Sequence, residues 1–228
     1  MDKIGICGSG LIGASWALGF SSNKYKVFVY DNSKKVREEF LDSLISLYED
    51  LSILKDISFN EIISNIVICD SIEEVCKDAI LIQESIIEKL EEKQNIFVEF
   101  EKFSNKETIL ASSSSYLLPS AIGNEIKYKD RCIVAHPALP PHVVPFVEIC
   151  PSKDTSNMTI EKAKKIYKSA EYIPIILKKE IEGFVLNRLQ GALLNEAVRL
   201  HEEGYASMED IDISLKHALG IRWAFLGP

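Results

Sequence analysis

The sequence lacks the features that mark a membrane-spanning, metal-binding or disulfide-bonded protein. None of its apolar runs approaches the length of a membrane span. The four histidines have no metal-ligand spacing, so we expect no metal. The five cysteines are an odd number without a C-x-x-C pair. Most lie in or beside apolar runs, which favours reduced core residues of a cytoplasmic protein.

Basic residues are also few, and they form no run. Lys and Arg number 26 against 34 Asp and Glu, which gives a formal net charge of −8. We therefore expect no nucleic-acid partner. A glycine turn within the first ten residues is expected to leave no room for a targeting segment. Hydrophobic residues, by contrast, make up 46% of the chain, enough for a full core.

A glycine turn near the start of the chain organises the sequence. A short apolar stretch precedes Gly8, Gly10 and Gly13, which fit the pattern G-x-G-x-x-G, and a helical stretch follows. These glycines allow a tight turn, a close approach of the backbone to a pyrophosphate, and close helix–strand packing. The N–H groups at the start of the helix, around Leu11 and Ile12, would face the phosphates. The turn therefore predicts a dinucleotide site.

An acidic residue at the end of the next apolar stretch supports this interpretation. Asp31 closes residues 26–31, at about the distance expected for a carboxylate that accepts hydrogen bonds from ribose hydroxyls. The same charge would repel a 2′-phosphate, which favours NAD over NADP. The alternative is a glycine-bearing strand–helix turn with a surface aspartate.

Strand-like and helix-like stretches alternate through residues 1–180. Apolar runs predict strands over 66–69, 79–83, 108–111, 131–136, 143–150 and 173–177, and helical periodicity predicts helices over 33–54, 71–77, 88–103, 119–122 and 156–169. This alternation predicts an α/β fold with a parallel, doubly wound Rossmann-type sheet. Ligands of such sheets gather at the carboxyl ends of the strands, where Asp31, Ser115 and His136 would lie.

The pattern changes in residues 181–228. A long helix is predicted over 184–203, and a second helix, capped by Ser207 with Asp210 as its capping-box partner, is predicted to end near Gly220. We expect this segment to begin a helical domain that appears truncated, because some 45 residues are too few to bury such apolar faces alone.

Four polar residues form a candidate catalytic set: Ser115, His136, Glu148 and Asn187. A histidine oriented by a carboxylate can take the proton of a secondary alcohol while hydride leaves for nicotinamide. Ser115 and Asn187 would then hold the substrate oxygen. A Ser-His-Glu hydrolase is the competing use, and the lack of a G-x-S-x-G elbow around Ser115 disfavours it.

Several stretches together resemble the 3-hydroxyacyl-CoA dehydrogenase family, and within it the L-gulonate 3-dehydrogenase (lambda-crystallin) branch. They are the glycine turn, the segments at 84–93, 109–120, 132–137, 140–148 and 179–190, and the short motifs at 202–204 and 210–212. The most discriminating are Ala-His-Pro at 135–137 and Gly-Phe-Val-Leu-Asn-Arg-Leu-Gln at 183–190.

The resemblance implies roles for individual residues. It makes His136 the catalytic base, Glu148 its orienting partner, and Ser115 and Asn187 the ligands of the substrate oxygen. Glu88 and Lys93 match positions that contact the nicotinamide-side ribose.

The resemblance also implies an activity: NAD-dependent oxidation of the 3-hydroxyl of an L-gulonate-like hydroxy acid. The alternatives are a 3-hydroxyacyl-CoA dehydrogenase and a catalytically silent NAD(H)-binding, crystallin-like protein. Leu139 departs from the family pattern, which usually has asparagine there. A homodimer is expected if the C-terminal domain is complete.

Overall fold

An eight-stranded sheet forms the centre of the computed structural model, which describes all 228 residues. Its strands, β1 to β8, are Lys3–Cys7, Lys26–Tyr30, Ile66–Ile68, Leu81–Glu84, Ile109–Ser112, Cys132–Pro137, Phe146–Pro151 and Ile173–Ile176. The strand order is β3-β2-β1-β4-β5-β6-β7-β8. The Rossmann-type fold predicted from the alternation is confirmed.

One strand pair departs from the predicted parallel arrangement. Strands β6 and β7 are antiparallel, whereas every other neighbouring pair is parallel. The cause is the connection, because residues 138–145 form no helix that could carry the chain back across the sheet. The reversal places His136 directly opposite Glu148.

Helices cover both faces of this sheet. Helices α1 to α8 are Leu11–Ser22, Lys34–Glu38, Phe40–Leu54, Phe59–Ile63, Ile72–Cys76, Leu90–Phe103, Pro119–Ile122 and Asn157–Ser169. One buried cluster contains Trp16, Phe20 and Tyr167, and a second contains Phe97 and Phe100. Along β1 and β2, alternate residues belong to different clusters, so the core forms a layer on each side of the sheet.

Three predicted helices differ in the structure. The helix predicted over 33–54 is broken at Glu39, which separates α2 from α3. The helix predicted from residue 184 begins at Leu186, because Phe184 has a positive φ of 47° that an α-helix excludes. The helix predicted to end near Gly220 continues to Leu226 through a π-helical segment, Leu215–Gly220.

The chain divides into two compact units, Met1–Phe184 and Val185–Pro228. The second unit contains α9 (Leu186–Glu202), α10 (Met208–Ser214), the π-helical segment and α11 (Ile221–Leu226). Ser207 caps α10 as predicted: its hydroxyl accepts from Asp210 N at 3.1 Å and donates to the Asp210 carboxylate. Large apolar side chains of this unit remain exposed, among them Leu189, Phe225 and Leu226.

All five cysteines are buried and free, in agreement with the expected reduced core residues. Crossing a bilayer would need a longer and more apolar helix than any in the structure. No group of three or more His, Cys, Asp or Glu side chains is placed to hold a metal ion.

Candidate active site

The glycine turn connects β1 to α1 and needs two of its glycines for steric reasons. Gly8 has a φ of 89°, and a Cβ there would lie 2.5 Å from the carbonyl oxygen of Ser85. A Cβ on Gly13 would lie 1.8 Å from the carbonyl oxygen of Gly8, so helix and strand approach as closely as glycine allows. The first N–H groups of α1, at Leu11 and Ile12, have no partners within the helix.

Gly10 differs, because nothing lies within 4 Å of a Cβ built on it. It borders a cavity of about 590 Å³ at the carboxyl ends of β1, β2 and β4, whose lining includes Gly8, Gly10, Asp31, Asn32, Ser85 and Ile86. The helix N-terminus and the open space at Gly10 together suit an anionic, extended ligand. These residues therefore fit a dinucleotide.

Asp31 lies at the end of β2 in this cavity. Its Oδ2 accepts hydrogen bonds from Ser9 N at 2.9 Å and Ser9 Oγ at 3.3 Å, and its Oδ1 accepts from Ser33 N at 3.0 Å. The carboxylate is thus fixed against the glycine turn. Oδ1, which accepts one hydrogen bond, keeps acceptor capacity for a ribose hydroxyl.

His136 and Glu148 form a buried pair on the antiparallel strands β6 and β7. His136 Nδ1 lies 2.9 Å from Glu148 Oε2, and both residues are buried. A carboxylate at Nδ1 favours the proton on that nitrogen, which leaves Nε2 as the basic atom of the ring. The ring of Phe184 lies 5.2 Å from the imidazole centroid and fills one side of it.

Glu88 and Lys93 lie in a buried charge network at the ends of β4 and β5. Lys93 Nζ donates to Glu84 Oε1 at 2.6 Å and lies 3.0 Å from Glu88 Oε2. Glu84 also accepts from Ser112 Oγ at 2.5 Å and Ile86 N at 2.6 Å. Burial raises the pKa of Glu84, and the Lys93 ammonium opposes that shift. Lys93 is itself almost completely buried, so its charge is held within the protein.

Ser115 follows the end of β5 and is tied to the same network. Its backbone N donates to Glu88 Oε1 at 3.0 Å, and the Ser114 hydroxyl donates to that same oxygen. Ser114 Oγ in turn accepts from Leu117 N at 2.8 Å. Glu88 therefore holds the turn that carries Ser115.

Asn187 and Leu139 are the two remaining positions that the sequence singles out. Asn187 lies in the first turn of α9, in the second unit. Leu139 lies in the loop between β6 and β7, and its side chain is largely exposed. The structure thus brings together His136 with Glu148, Ser115 with Glu88 and Lys93, and Asp31 with the glycine turn.

Three residues in and beside the site are not distinguished by the sequence pattern. In the sequence, Glu84 is the polar end of a predicted buried strand and Ser113 is one of four consecutive serines. Phe184 is the first apolar residue of a predicted helix. The lone charge of Glu84 after five apolar or amide residues is the one usable sign, because a buried carboxylate needs a partner. The structure supplies that partner in Lys93.

The fold and the glycine turn define a dinucleotide-binding protein of the dehydrogenase type. Residues 3–181 match the model of the 3-hydroxyacyl-CoA dehydrogenase NAD binding domain, and residues 183–228 match the C-terminal domain of the same family. The chain belongs to the 3-hydroxyacyl-CoA dehydrogenase family and is an NAD-dependent oxidoreductase.

Several relatives match almost the whole chain. The lambda-crystallin homolog of Rattus norvegicus is 40% identical over 227 residues, which are 98% of this chain and 71% of the relative. The L-carnitine dehydrogenase of Oceanobacillus iheyensis is 34% identical, and the alignment covers 100% of this chain and 74% of the relative. The crystal structure of a 3-hydroxyacyl-CoA dehydrogenase from Archaeoglobus fulgidus has a TM-score of 0.86 and 28% identity, covering 100% of this chain and 73% of that one.

Proposed function

We propose that this chain oxidises the 3-hydroxyl group of a free hydroxy acid such as L-gulonate, with His136 as the general base. The observation that carries the proposal is the buried His136–Glu148 pair, joined at 2.9 Å across β6 and β7. A dehydrogenase needs a proton acceptor for the alcohol, and an oriented imidazole meets that need near neutral pH.

The proton transfer follows from the geometry of the pair. Nδ1–H donates to Glu148, so Nε2 of His136 is the atom that takes the hydroxyl proton of the substrate. The O–H and C–H bonds of the alcohol break, a C=O bond forms, and the proton stays on the imidazole. Bound NAD supplies the hydride acceptor. Glu148 stabilises the imidazolium that results, as a carboxylate does in other histidine-based sites.

Two residues are assigned to the substrate oxygen and two to the cofactor side. Ser115 and Asn187 would hold the oxygen as it becomes a carbonyl, Ser115 through its hydroxyl on the turn fixed by Glu88. Glu88 would face the nicotinamide-side ribose, with Lys93 setting its position through their 3.0 Å contact.

A free acid is favoured over a CoA thioester by the relatives. Lambda-crystallin homologs and L-carnitine dehydrogenases are 32–40% identical to this chain, and carnitine is itself a free 3-hydroxy acid. A relative named 3-hydroxyacyl-CoA dehydrogenase, from Gibberella moniliformis, is 34% identical and keeps the thioester as the alternative substrate.

We also propose that the second unit mediates a homodimer, because it exposes Leu189, Phe225 and Leu226. Light scattering on the purified chain tests this proposal. A monomeric mass at micromolar concentration contradicts it.

The substitution His136→Ala tests the assignment of the base. We expect the rate of NADH formation from L-gulonate to fall about 10²- to 10⁴-fold, the usual contribution of a positioned acid–base group. NADH affinity, measured by fluorescence titration, should stay within about twofold, because His136 is not assigned to the cofactor. A variant that loses both turnover and NADH binding would make His136 a structural residue.

Leu139 favours a second candidate function, a catalytically silent NAD(H)-binding protein. Where the family usually has asparagine, leucine can neither donate nor accept a hydrogen bond. The substitution Leu139→Asn tests whether this position impairs catalysis. A large gain in NADH formation indicates an enzyme impaired at this position, whereas a measurable rate that the substitution leaves unchanged shows that Leu139 is tolerated.

A further inference from the structure

The hydroxyl of Ser113, just past the end of β5, is the centre of a partly buried polar cluster. Its oxygen lies 3.1 Å from Trp16 Nε1, 2.7 Å from Gln83 Nε2 and 2.9 Å from Ser85 Oγ. A serine hydroxyl has one proton to donate and two lone pairs to accept with. All three positions are therefore occupied, and the direction of each hydrogen bond follows from counting protons.

Two of the three neighbours are donors. The indole N–H of Trp16 can only donate. The amide of Gln83 is oriented by Tyr167, whose hydroxyl donates to Gln83 Oε1 at 2.5 Å. Tyr167 is fully buried, and this is the only hydrogen bond that its hydroxyl makes. Rotating the amide by half a turn would leave the tyrosine proton without an acceptor, which is costly in a core.

The proton of Ser113 must then go to Ser85. Trp16 and Gln83 fill both lone pairs of the Ser113 oxygen, so the Ser113 hydroxyl donates to Ser85 Oγ. Ser85 keeps its own proton, and Ser113 is the only hydrogen-bond partner of its hydroxyl in the structure. The Ser85 hydroxyl can therefore donate its hydrogen bond to an acceptor outside the protein.

The place where Ser85 lies indicates that acceptor. Ser85 follows β4, lines the dinucleotide cavity together with Gly8 and Gly10, and donates its backbone N–H to Cys7 O at 2.7 Å. Its carbonyl oxygen is the atom that excludes a side chain at Gly8. A dinucleotide presents many acceptor oxygens to such a wall, on its phosphates and riboses.

We propose that the Ser85 hydroxyl donates a hydrogen bond to a phosphate or ribose oxygen of the bound dinucleotide. Ser113, Gln83 and Tyr167 are positioning residues that direct this proton without touching the cofactor. The inference concerns cofactor binding alone, so it is independent of the substrate and of the role of His136.

Binding titrations on the full chain test the donor. Isothermal titration with NADH should show Ser85→Ala weakened about three- to tenfold, the range of one net hydrogen bond. Ser85→Thr restores the hydroxyl and should regain most of the affinity. Thermal unfolding without ligand serves as the control for folding. Unchanged NADH affinity in Ser85→Ala, or no recovery in a folded Ser85→Thr, overturns the proposal.

Two further probes locate the acceptor. If Ser85 donates to a phosphate, Ser85→Ala weakens binding of ADP, ADP-ribose and NADH alike. If it donates to the nicotinamide-side ribose, ADP binding is unchanged while ADP-ribose and NADH bind more weakly. Either result supports the proposal. A loss seen with NADH alone overturns it, because the acceptor would then be on the nicotinamide.

The positioning role is tested by Tyr167→Phe. Without the tyrosine hydroxyl the Gln83 amide is free to rotate, Ser113 can donate to Gln83, and Ser85 can donate to Ser113 instead of the cofactor. NADH affinity should therefore fall, by no more than in Ser85→Ala. The double variant should be no weaker than Ser85→Ala, because both changes remove the same hydrogen bond. Losses that multiply in the double variant contradict the positioning role.

Discussion

The charge of Glu148 is the residue-scale feature on which the proposed chemistry depends most. The carboxylate is fully buried and bonded to His136, so it fixes the orientation of the imidazole and carries a charge where the imidazolium would form. An amide of the same shape would fix the orientation of the imidazole only in part. Its NH₂ group can donate to Nδ1, which would favour the tautomer with the proton on Nε2.

The substitution Glu148→Gln should therefore lower kcat about 10²- to 10⁴-fold, by analogy with carboxylate-to-amide changes in histidine-based sites. NADH affinity should stay within about twofold. Steady-state kinetics and fluorescence titration measure the two quantities. Glu161→Gln, on the exposed face of α8, is the matched control. A kcat close to that of the parent protein would show that Glu148 does not act on the base.

A second buried histidine gives a prediction on pH. Ser15 Oγ donates to Leu11 O, so His142 Nδ1–H donates to Ser15 at 3.0 Å, and Nε2 lies 3.7 Å from Asp50 Oδ2. Burial lowers the pKa of His142 below its usual 6.5, and the Asp50 carboxylate opposes the shift. The folded state thus binds fewer protons than the unfolded state as pH falls past 6.5.

The stabilising contribution of neutral His142 is therefore complete above that pH and is lost below it. We expect the free energy of unfolding, measured by urea denaturation, to decrease between pH 7 and pH 5 less in His142→Asn than in the parent protein. His217→Asn, which changes an exposed histidine, should leave the pH dependence unchanged. Equal slopes in His142→Asn and the parent protein would contradict the prediction.

At the scale of elements, the contact between β1 and α1 decides how the cofactor cavity is shaped. Gly13 allows α1 to pass the turn so closely that any side chain there meets a backbone oxygen. Backbone atoms cannot rotate away as a flexible side chain can, so the helix itself must shift.

The substitution Gly13→Ala should destabilise the fold by about 2 kcal/mol or more, in the upper range of overpacked cores, and weaken NADH binding. Thermal unfolding and NADH titration measure both effects. Gly191→Ala is the matched control, since its Cβ would meet nothing within 4 Å in α9. This change should be neutral or slightly stabilising. A fully stable Gly13→Ala variant with normal affinity would show that the contact is not required.

The elements also show what the sequence could predict. The glycine turn, the strand ends and the capping residues follow from local rules, since each depends on a few neighbouring residues. The antiparallel direction of β7 could not be predicted from the sequence. The eight-residue loop before β7 carries no helical pattern, and the direction of the strand depends on the tertiary path of the chain. The pairing of His136 with Glu148 requires the two strands to be neighbours, and the observed register meets that requirement.

The serine run illustrates the limit within the site. The run contains four equivalent serines, Ser112 to Ser115, yet each makes a different contact. Ser112 donates to Glu84, and Ser113 bonds to Trp16, Gln83 and Ser85. Ser114 donates to Glu88 through its hydroxyl, and Ser115 donates to Glu88 through its backbone N–H. These differences arise from how the end of β5 and the turn after it pack against β4 and α1. The burial of Lys93 is likewise a tertiary outcome, because a lysine on an amphipathic, charged helix is ordinarily exposed.

At the scale of the whole molecule, an acidic protein binds an anionic cofactor. The formal charge of −8 repels NAD over long distances, so binding depends on local features: the N-terminus of α1, the open space at Gly10 and the fixed carboxylate of Asp31. Family membership and the NAD requirement rest on the match of both units. The preference for a free hydroxy acid such as L-gulonate is our proposal.

The proposed reaction is tested most directly by NADH formation by this chain with NAD and either L-gulonate or 3-hydroxybutyryl-CoA, measured side by side. We expect turnover with L-gulonate that exceeds turnover with the thioester and that disappears in His136→Ala. Preference for the thioester would assign the chain to the acyl-CoA branch. No turnover with either substrate, with NADH still bound, would contradict the enzymatic account and favour a silent NAD(H)-binding protein.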